Sequence, residues 1–238
     1  MGGRWYPPGV AVLERDVFTA PLYTKAEAAR IVDVPGNTFR NWSDGYWYMT
    51  TSGERATPGL ITVALENGRV KVPFVGLAEA YVIVALKDSG IPMVRIRPAV
   101  TTLRQGMGIR YALLSERLKT DGVEVLYEFV GDESEASDGR VGLAVVRNRQ
   151  LVFREAIEQY LKTITYEDGF ATSFMPRRFG EKVVRIDPRV NAGQPSFVRT
   201  GVRVSDVLSR VRSGEAIDEI ADDFDLSSES IRHIQEVA

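Results

Sequence analysis

Residues 23–42 read YTKAEAARIVDVPGNTFRNW, and the punctuation of this stretch decides the fold of the amino-terminal half. Thr24 followed three residues later by Glu27 forms a capping box, in which each side chain satisfies a free backbone N–H of the other. A helix therefore begins at Lys25, with Ala26, Ala29 and Ile31 as small apolar contacts. Asp33-Val34-Pro35-Gly36 makes a turn, because proline cannot sit inside a continuous helix. A short second helix follows over about Asn37 to Trp42. Its Phe39 and Trp42 stand three apart, so both can face a core. Thr38, Arg40 and Asn41 then face outward. Two short helices about a tight turn are a helix-turn-helix pattern, and cationic Lys25, Arg30 and Arg40 outnumber Glu27 and Asp33 in it.

Downstream, Leu60 to Leu65 and Val70 to Val75 are β-rich, and Asn67-Gly68 between them suits a hairpin turn with two positive φ angles. A hairpin after two short helices reads as a wing, with Arg69 and Lys71 beside its tip. From Gly76 to Lys87 an apolar stripe with helical period runs through Leu77, Ala80, Tyr81, Val84 and Ala85. Pro92 suits a helix start, and Pro98 is expected to kink or restart that helix. Between Arg95 and Lys119 six Arg or Lys face Glu116 alone. This run reads either as a solvated surface or as an extension of a phosphate track. Val123 to Val130 and Val141 to Val146 read as strands around an acidic loop. Phe153, Ala156, Ile157, Tyr160, Leu161 and Ile164 mark a helix, Asp168-Gly169 a turn, 175–180 a linker and Val183 to Ile186 a strand.

A second helix-turn-helix pattern, VSDVLSRVRSGEAIDEIADDFDLSSESIRHIQEVA, spans Val204 to Ala238. From Gly214 onward eight carboxylates oppose Arg232 alone. A polyanion would be repelled there, so this end is expected to meet a protein.

Composition narrows the function. The 238 residues allow one large or two modest domains. Net charge is −2, so any nucleic-acid footprint must be local. The absence of cysteine removes disulfides, thiolate nucleophiles and Cys-type zinc sites. The single histidine, His233, leaves no material for a His-based metal site or a Ser-His-Asp triad. No Gly-rich phosphate motif and no HExxH is present. The expectation is a non-enzyme with no cofactor. No apolar run approaches a membrane span. MGGRWYPPG lacks the apolar centre of a signal peptide, and Tyr6 breaks the myristoylation pattern. A cytoplasmic location is expected.

With Phe74-Val75-Gly76-Leu77-Ala78-Glu79-Ala80 and the stretch Gly90 to Arg97 added, Tyr23 to Trp42 resembles MerR-like winged helix-turn-helix proteins. VRIDPRVNAGQPSFVRTGVRVSDVLSRVRSGEAIDEIADDFDLSSESI is similar to a small antitoxin domain long classed as of unknown function. It shares the strand, Asp187-Pro188, the turn Gly193-Gln194-Pro195, Gly201 and the step into three helices. Together the two ends resemble the large VapB-type antitoxins that partner PIN-domain ribonuclease toxins.

The resemblance implies toxin neutralisation and autoregulation of an operon, with a PIN-domain toxin and operator DNA as partners. It implies a mainly helical α+β fold. An N-terminal arm (1–20) precedes a winged helix-turn-helix domain (21–130), a strand–helix connector (131–180) and a C-terminal antitoxin domain (181–238) of three helices and short strands. The candidate DNA contacts are Lys25, Arg30, Asn37, Thr38, Arg40, Asn41, Arg69 and Lys71. Arg reads guanine and Asn reads adenine, although most such contacts go to phosphate. PIN toxins resemble nucleases whose carboxylates hold Mg²⁺, and an antitoxin arginine can block such a cluster. Arg147, Arg149, Arg177 and Arg178 are the candidates. A homodimer, or a larger hetero-oligomer with toxin, is expected because one short recognition helix covers few bases. The alternative is a stand-alone MerR-like regulator with a small-molecule effector.

Overall fold

The computed structural model describes residues 15–51, 53–66, 69–107, 111–119 and 157–237. The expected strands at 123–130 and 141–146, the acidic loop, Arg147, Arg149 and the Asn67-Gly68 tip lie outside the described residues.

The larger core is built around one helix. After α1 (Arg15–Thr19), α2 (Lys25–Ile31) and α3 (Gly36–Asp44), helix α4 (Phe74–Asp88) is buried at every position from Phe74 to Leu86. Its sequence shows a stripe, yet it is wrapped on all sides. Phe74 meets Phe18 edge-on at 5.6 Å and Phe174 at 6.0 Å, and Tyr81 stacks on Phe174 at 4.6 Å. Phe39, Trp42, Val72, Ile157, Leu161 and Ile164 belong to the same core. Residues on both sides of the undescribed stretch 120–156 therefore share one interior.

Four two-stranded antiparallel sheets decorate the helices among the described residues. β1 (Tyr46–Thr50) and β2 (Gly53–Thr57) form a hairpin directly after α3. The sequence reading placed no hairpin there. β3 (Ala64–Glu66) pairs with β4 (Arg69–Lys71), the expected wing, but β4 ends short of Val75. Pro73 has no N–H for a ladder and stands as the N-cap of α4, so Phe74 and Val75 become its first turn. β5 (Ile164–Glu167) and β6 (Phe170–Phe174) turn at Asp168-Gly169, where φ is 50° and 74°. Ile164 thus opens a strand instead of ending a helix, because the helical segment stops at residue 161.

Helix α5 (Met93–Met107) runs through Pro98 without the expected restart. Pro98 lacks the N–H that would have bonded the Val94 carbonyl, and Val94 stands at an exposed position of the helix. α4 and α5 are bridged to the chain after β2 by Glu79. This carboxylate is fully buried, accepts from the Thr62 N–H at 2.6 Å and pairs with Arg104 at 2.9 Å. Beside it, Gly76 lets α4 approach closely: a Cβ there would lie 2.0 Å from the Thr62 carbonyl oxygen. Gly76→Ala is therefore expected to cost about 1–3 kcal/mol through forced displacement of α4. Urea denaturation measures this, and an unchanged midpoint would refute the close contact.

The smaller core joins β7 (Val184–Arg185) and β8 (Ser196–Phe197) to α6 (Val204–Arg212), α7 (Ile217–Phe224) and α8 (Ser228–Val237). Val207, Ile220, Ile231 and Ile234 fill it. The turn from α7 into α8 is made by Asp225 in a left-handed conformation. Two polar ties join this body to the helix-turn-helix. The buried Tyr23 hydroxyl donates to the Gly193 carbonyl at 2.7 Å. The Arg178 guanidinium donates to the carbonyls of Arg30 and Val237.

Candidate nucleic-acid interface

The capping box forms as its residues dictate. The Thr24 hydroxyl accepts from the Glu27 N–H at 3.2 Å, and the Glu27 carboxylate accepts from the Thr24 N–H at 2.7 Å. Hydrogen bonds from the Thr24 side chain, then its backbone, hold Glu27 below the usual carboxylate range, with Lys71 and Arg30 adding smaller pulls. α2 ends at the turn, where Asp33 takes φ 58° and the Val34 N–H bonds the Ala29 carbonyl at 3.0 Å.

α3 divides cleanly by face. Phe39 and Trp42 are buried, and the Trp42 carbonyl accepts from Leu60 and Ile61 at 2.6 and 3.1 Å. Asn37, Arg40 and Asn41 are exposed, and Thr38 is half-buried. Positions 37, 40 and 41 share one helix face. The structure thus brings three of the candidates together on the outer side of α3.

The other candidates are distributed around it. The Lys25 ammonium sits 2.6 Å from both carboxylate oxygens of Asp44, tying the start of α2 to the end of α3. The Arg30 side chain is exposed on α2. Arg69 and Lys71 lie on β4, whose continuation is pinned ahead of α2 by the Tyr23–Val72 bridge at 2.8 and 2.9 Å. Arg177 and Arg178 stand apart, where the two bodies meet. The exposed Arg177 guanidinium lies 4.9 Å over the Tyr160 ring. Arg178 is engaged with its two carbonyls, and Asp33 is 3.9 Å away. Both arginines line a cavity of about 390 Å³ with Tyr81, Lys87, Asp88 and Tyr160. There the Tyr160 hydroxyl donates to Asp88 at 2.5 Å, and burial, then Asp88, pushes its pKa up.

Two arginines of the basic run prove structural. Arg97 donates to the carbonyls of Pro58 and Asn41 at 3.0 and 3.1 Å and lies 5.1 Å over the Tyr46 ring. Arg104 donates to the Leu60 carbonyl at 2.7 Å as well as to Glu79. Arg97 therefore braces α3 against the β1–β2 hairpin. Sequence reasoning missed this element, whose signal is the aromatic run YWYM. At the acidic end, Arg210 pairs with Glu215 and Asp223, Arg199 with Asp225, and Arg232 with Asp218 at 3.5 Å. Much of that charge is thus answered within the domain. Among the described residues no group of three His, Asp or Glu is arranged to hold a metal. No helix there is long and apolar enough to cross a membrane.

A helix-turn-helix with an outward polar face on α3, a following hairpin and a docked second helical body defines a two-part helix-turn-helix protein. Residues 21–100 match the family described as "Putative DNA-binding HTH domain", and residues 184–236 match "Protein of unknown function (DUF433)". Over 222 residues the chain is 39% identical to "Putative antitoxin VapB45" of Mycobacterium tuberculosis, covering 90% of this chain and 92% of the relative. It is 26% identical over 230 residues to "Uncharacterized protein Rv2308" of the same organism, covering 93% and 90%. The crystal structure of Rv2018 from Mycobacterium tuberculosis superposes with a TM-score of 0.71 at 35% identity, covering 91% of this chain and 98% of that one. The chain belongs to this family of large VapB-type antitoxins, built from a DNA-binding helix-turn-helix domain and a DUF433 domain.

Proposed function

We propose that this protein is an antitoxin that neutralises a PIN-domain ribonuclease toxin and represses its own operon by binding operator DNA. The observation that carries the reading is the relationship to the VapB45 protein over nearly the full length of both chains. The exposed face of α3 supports the DNA half. Asn37, Arg40 and Asn41 reach base edges in the major groove, while Lys25, Arg30, Thr38, Arg69 and Lys71 serve phosphate contacts. Residues 181–238 and the junction carrying Arg177 and Arg178 face the toxin, with Arg147 and Arg149 as further contacts.

Co-expression with a candidate PIN-domain toxin tests the toxin half. A stable complex and rescued growth are expected, and a toxin that stays active and unbound overturns it. For the DNA half, Arg40→Ala is expected to weaken operator binding about 10- to 100-fold at unchanged thermal stability. Fluorescence anisotropy with operator and scrambled duplexes reads the loss. Unaltered affinity removes Arg40 from the interface.

A second reading, a regulator with a small-molecule effector, is favoured by the cavity at Tyr81, Asp88, Tyr160 and Arg177. Its volume of about 390 Å³ lies within the range of small-ligand sites. A metabolite that raises the melting temperature, with no protein partner recovered, would favour it.

A further inference from the structure

A groove of about 550 Å³ lies between α2 and α6, where the two bodies meet. One wall is a single face of α6: Val204, Leu208 and Val211 stand four and then three residues apart, so they line up along it. Ile31 of α2 forms part of the other wall, and Phe179 completes the apolar lining. Leu208 and Val211 pack on the smaller core yet stay half-exposed. The rim is cationic. Arg30 and Arg212 are both exposed there, and among the described residues neither guanidinium has an ion-pair partner. Arg212 spends only its Nε, on the Leu208 carbonyl at 3.0 Å. Glu27 is the only carboxylate among the described lining residues, and it is already held by the Thr24 N–H and hydroxyl, each at 2.7 Å. The Tyr23 and Arg178 ties hold the walls in place, so an occupant meets a preformed groove.

We propose that this groove docks an amphipathic helix of the toxin, with apolar side chains against Ile31, Leu208 and Val211 and carboxylates toward Arg30 and Arg212. Length fits. Val204 and Arg212 bound a stretch of α6 about 12 Å long, roughly two turns of an occupant helix. Charge selects the occupant's polar side, since two uncommitted guanidiniums face a carboxylate that is already engaged. The apolar walls select its other side. Duplex DNA would satisfy the arginines and leave Leu208 and Val211 against phosphate or water, whereas an amphipathic helix answers both. The chain's own acidic helices do not qualify. α7 already buries Ile220 and Ala221, and α8 buries Ile231 and Ile234, so their apolar sides are taken.

This inference rests on the proposed toxin neutralisation for the source of the helix, and its test separates the two. The full chain is titrated with a candidate PIN-domain toxin. Arg212→Glu should weaken binding about 10-fold or more, because it sets a carboxylate against carboxylates. Leu208→Glu should weaken it about 100-fold, as loss of an interface anchor does. Lys162→Glu makes the same charge change at an exposed position outside the groove and should leave binding unaltered. Arg30 is kept, because phosphate contact also draws on it. A toxin that binds Arg212→Glu and Leu208→Glu like wild type overturns the groove and leaves the antitoxin reading standing. A second arm needs no toxin. A fluorescein-labelled synthetic helix of about 20 residues, with leucine at i, i+3, i+4 and i+7 and glutamate between, should bind the full chain in an anisotropy titration. Its lysine counterpart should not. Arg212→Glu should lose the glutamate helix at an unchanged melting temperature, which decides the matter even where Leu208→Glu fails to fold. A wild type that binds both helices alike, or neither, overturns the proposal. A wild type that binds the glutamate helix and no toxin keeps the groove and counts against the antitoxin reading instead. An Arg212→Glu protein that loses operator duplex and keeps toxin makes the rim a phosphate track, which also overturns the proposal.

Discussion

Arg104→Met is expected to cost about 3–5 kcal/mol of folding stability, the usual penalty for stranding a buried charge. Glu79 is fully buried, and the Arg104 guanidinium is its charged partner at 2.9 Å. The same guanidinium holds the Leu60 carbonyl, so its loss also frees the chain that follows β2. Burial already raises the Glu79 carboxyl above its ordinary range, and Arg104 is the largest influence opposing that rise. Without Arg104 the carboxyl moves higher still. Its folded value then lies well above its unfolded one, so the folded state binds the proton more tightly. Stability is retained below the unfolded value and lost as pH rises through the folded one. The variant should therefore be closest to wild type in mild acid and fall away toward neutrality. Urea midpoints measured across that window test this. Adding Glu79→Met to Arg104→Met should restore part of the loss, because it removes the unpaired buried charge while the Thr62 N–H and the Leu60 carbonyl stay without their side-chain partners. A single variant as stable as wild type at neutral pH would contradict the assignment.

Trp42→Ala is expected to be of similar size, about 3–5 kcal/mol. The indole is 2% exposed and shares the core with Phe39. Its backbone carbonyl keeps the Leu60 and Ile61 N–H groups, so the substitution leaves a void rather than a broken connection. For a chain of this size the melting temperature should fall by on the order of 10 °C. Operator binding should be lost with the fold and return on cooling. This behaviour separates Trp42 from Arg40, whose replacement should lose binding at full stability. Calorimetry and anisotropy on both variants read the difference, and a Trp42→Ala protein that melts like wild type would place the indole outside the core.

The helix-turn-helix was legible because its signals are local. A capping box, a proline in the turn and two aromatics three apart need no knowledge of the rest of the chain. Asp168-Gly169 was legible as a turn for the same reason. The strands around it were not, since Ile164 also completes a helical spacing with Tyr160 and Leu161. α4 displayed a stripe, yet its polar-side positions, Glu79 among them, are buried by elements distant in sequence. β1 was missed because Tyr46 to Met49 shows no alternation of apolar with polar residues, so its strand character rests on aromatic content alone. The basic run from Arg95 misled in one respect. Periodicity cannot reveal that Arg97 and Arg104 spend their donors on carbonyls dozens of residues away. The three C-terminal helices were plain in the sequence, but the two ties at Tyr23 and Arg178 were not, because their partners are main-chain carbonyls that any residue could supply.

One guanidinium, that of Arg178, grips the end of α2 and the end of α8 at once. One terminal nitrogen serves Arg30 and the other Val237, so fraying of either terminus frees one end of the guanidinium that holds the other. Amide protons in the last turns of these two helices, more than 200 residues apart in the chain, should therefore exchange with deuterium as one cooperative unit. An event that loosens the carboxyl-terminal helix is thereby felt in the turn between α2 and α3.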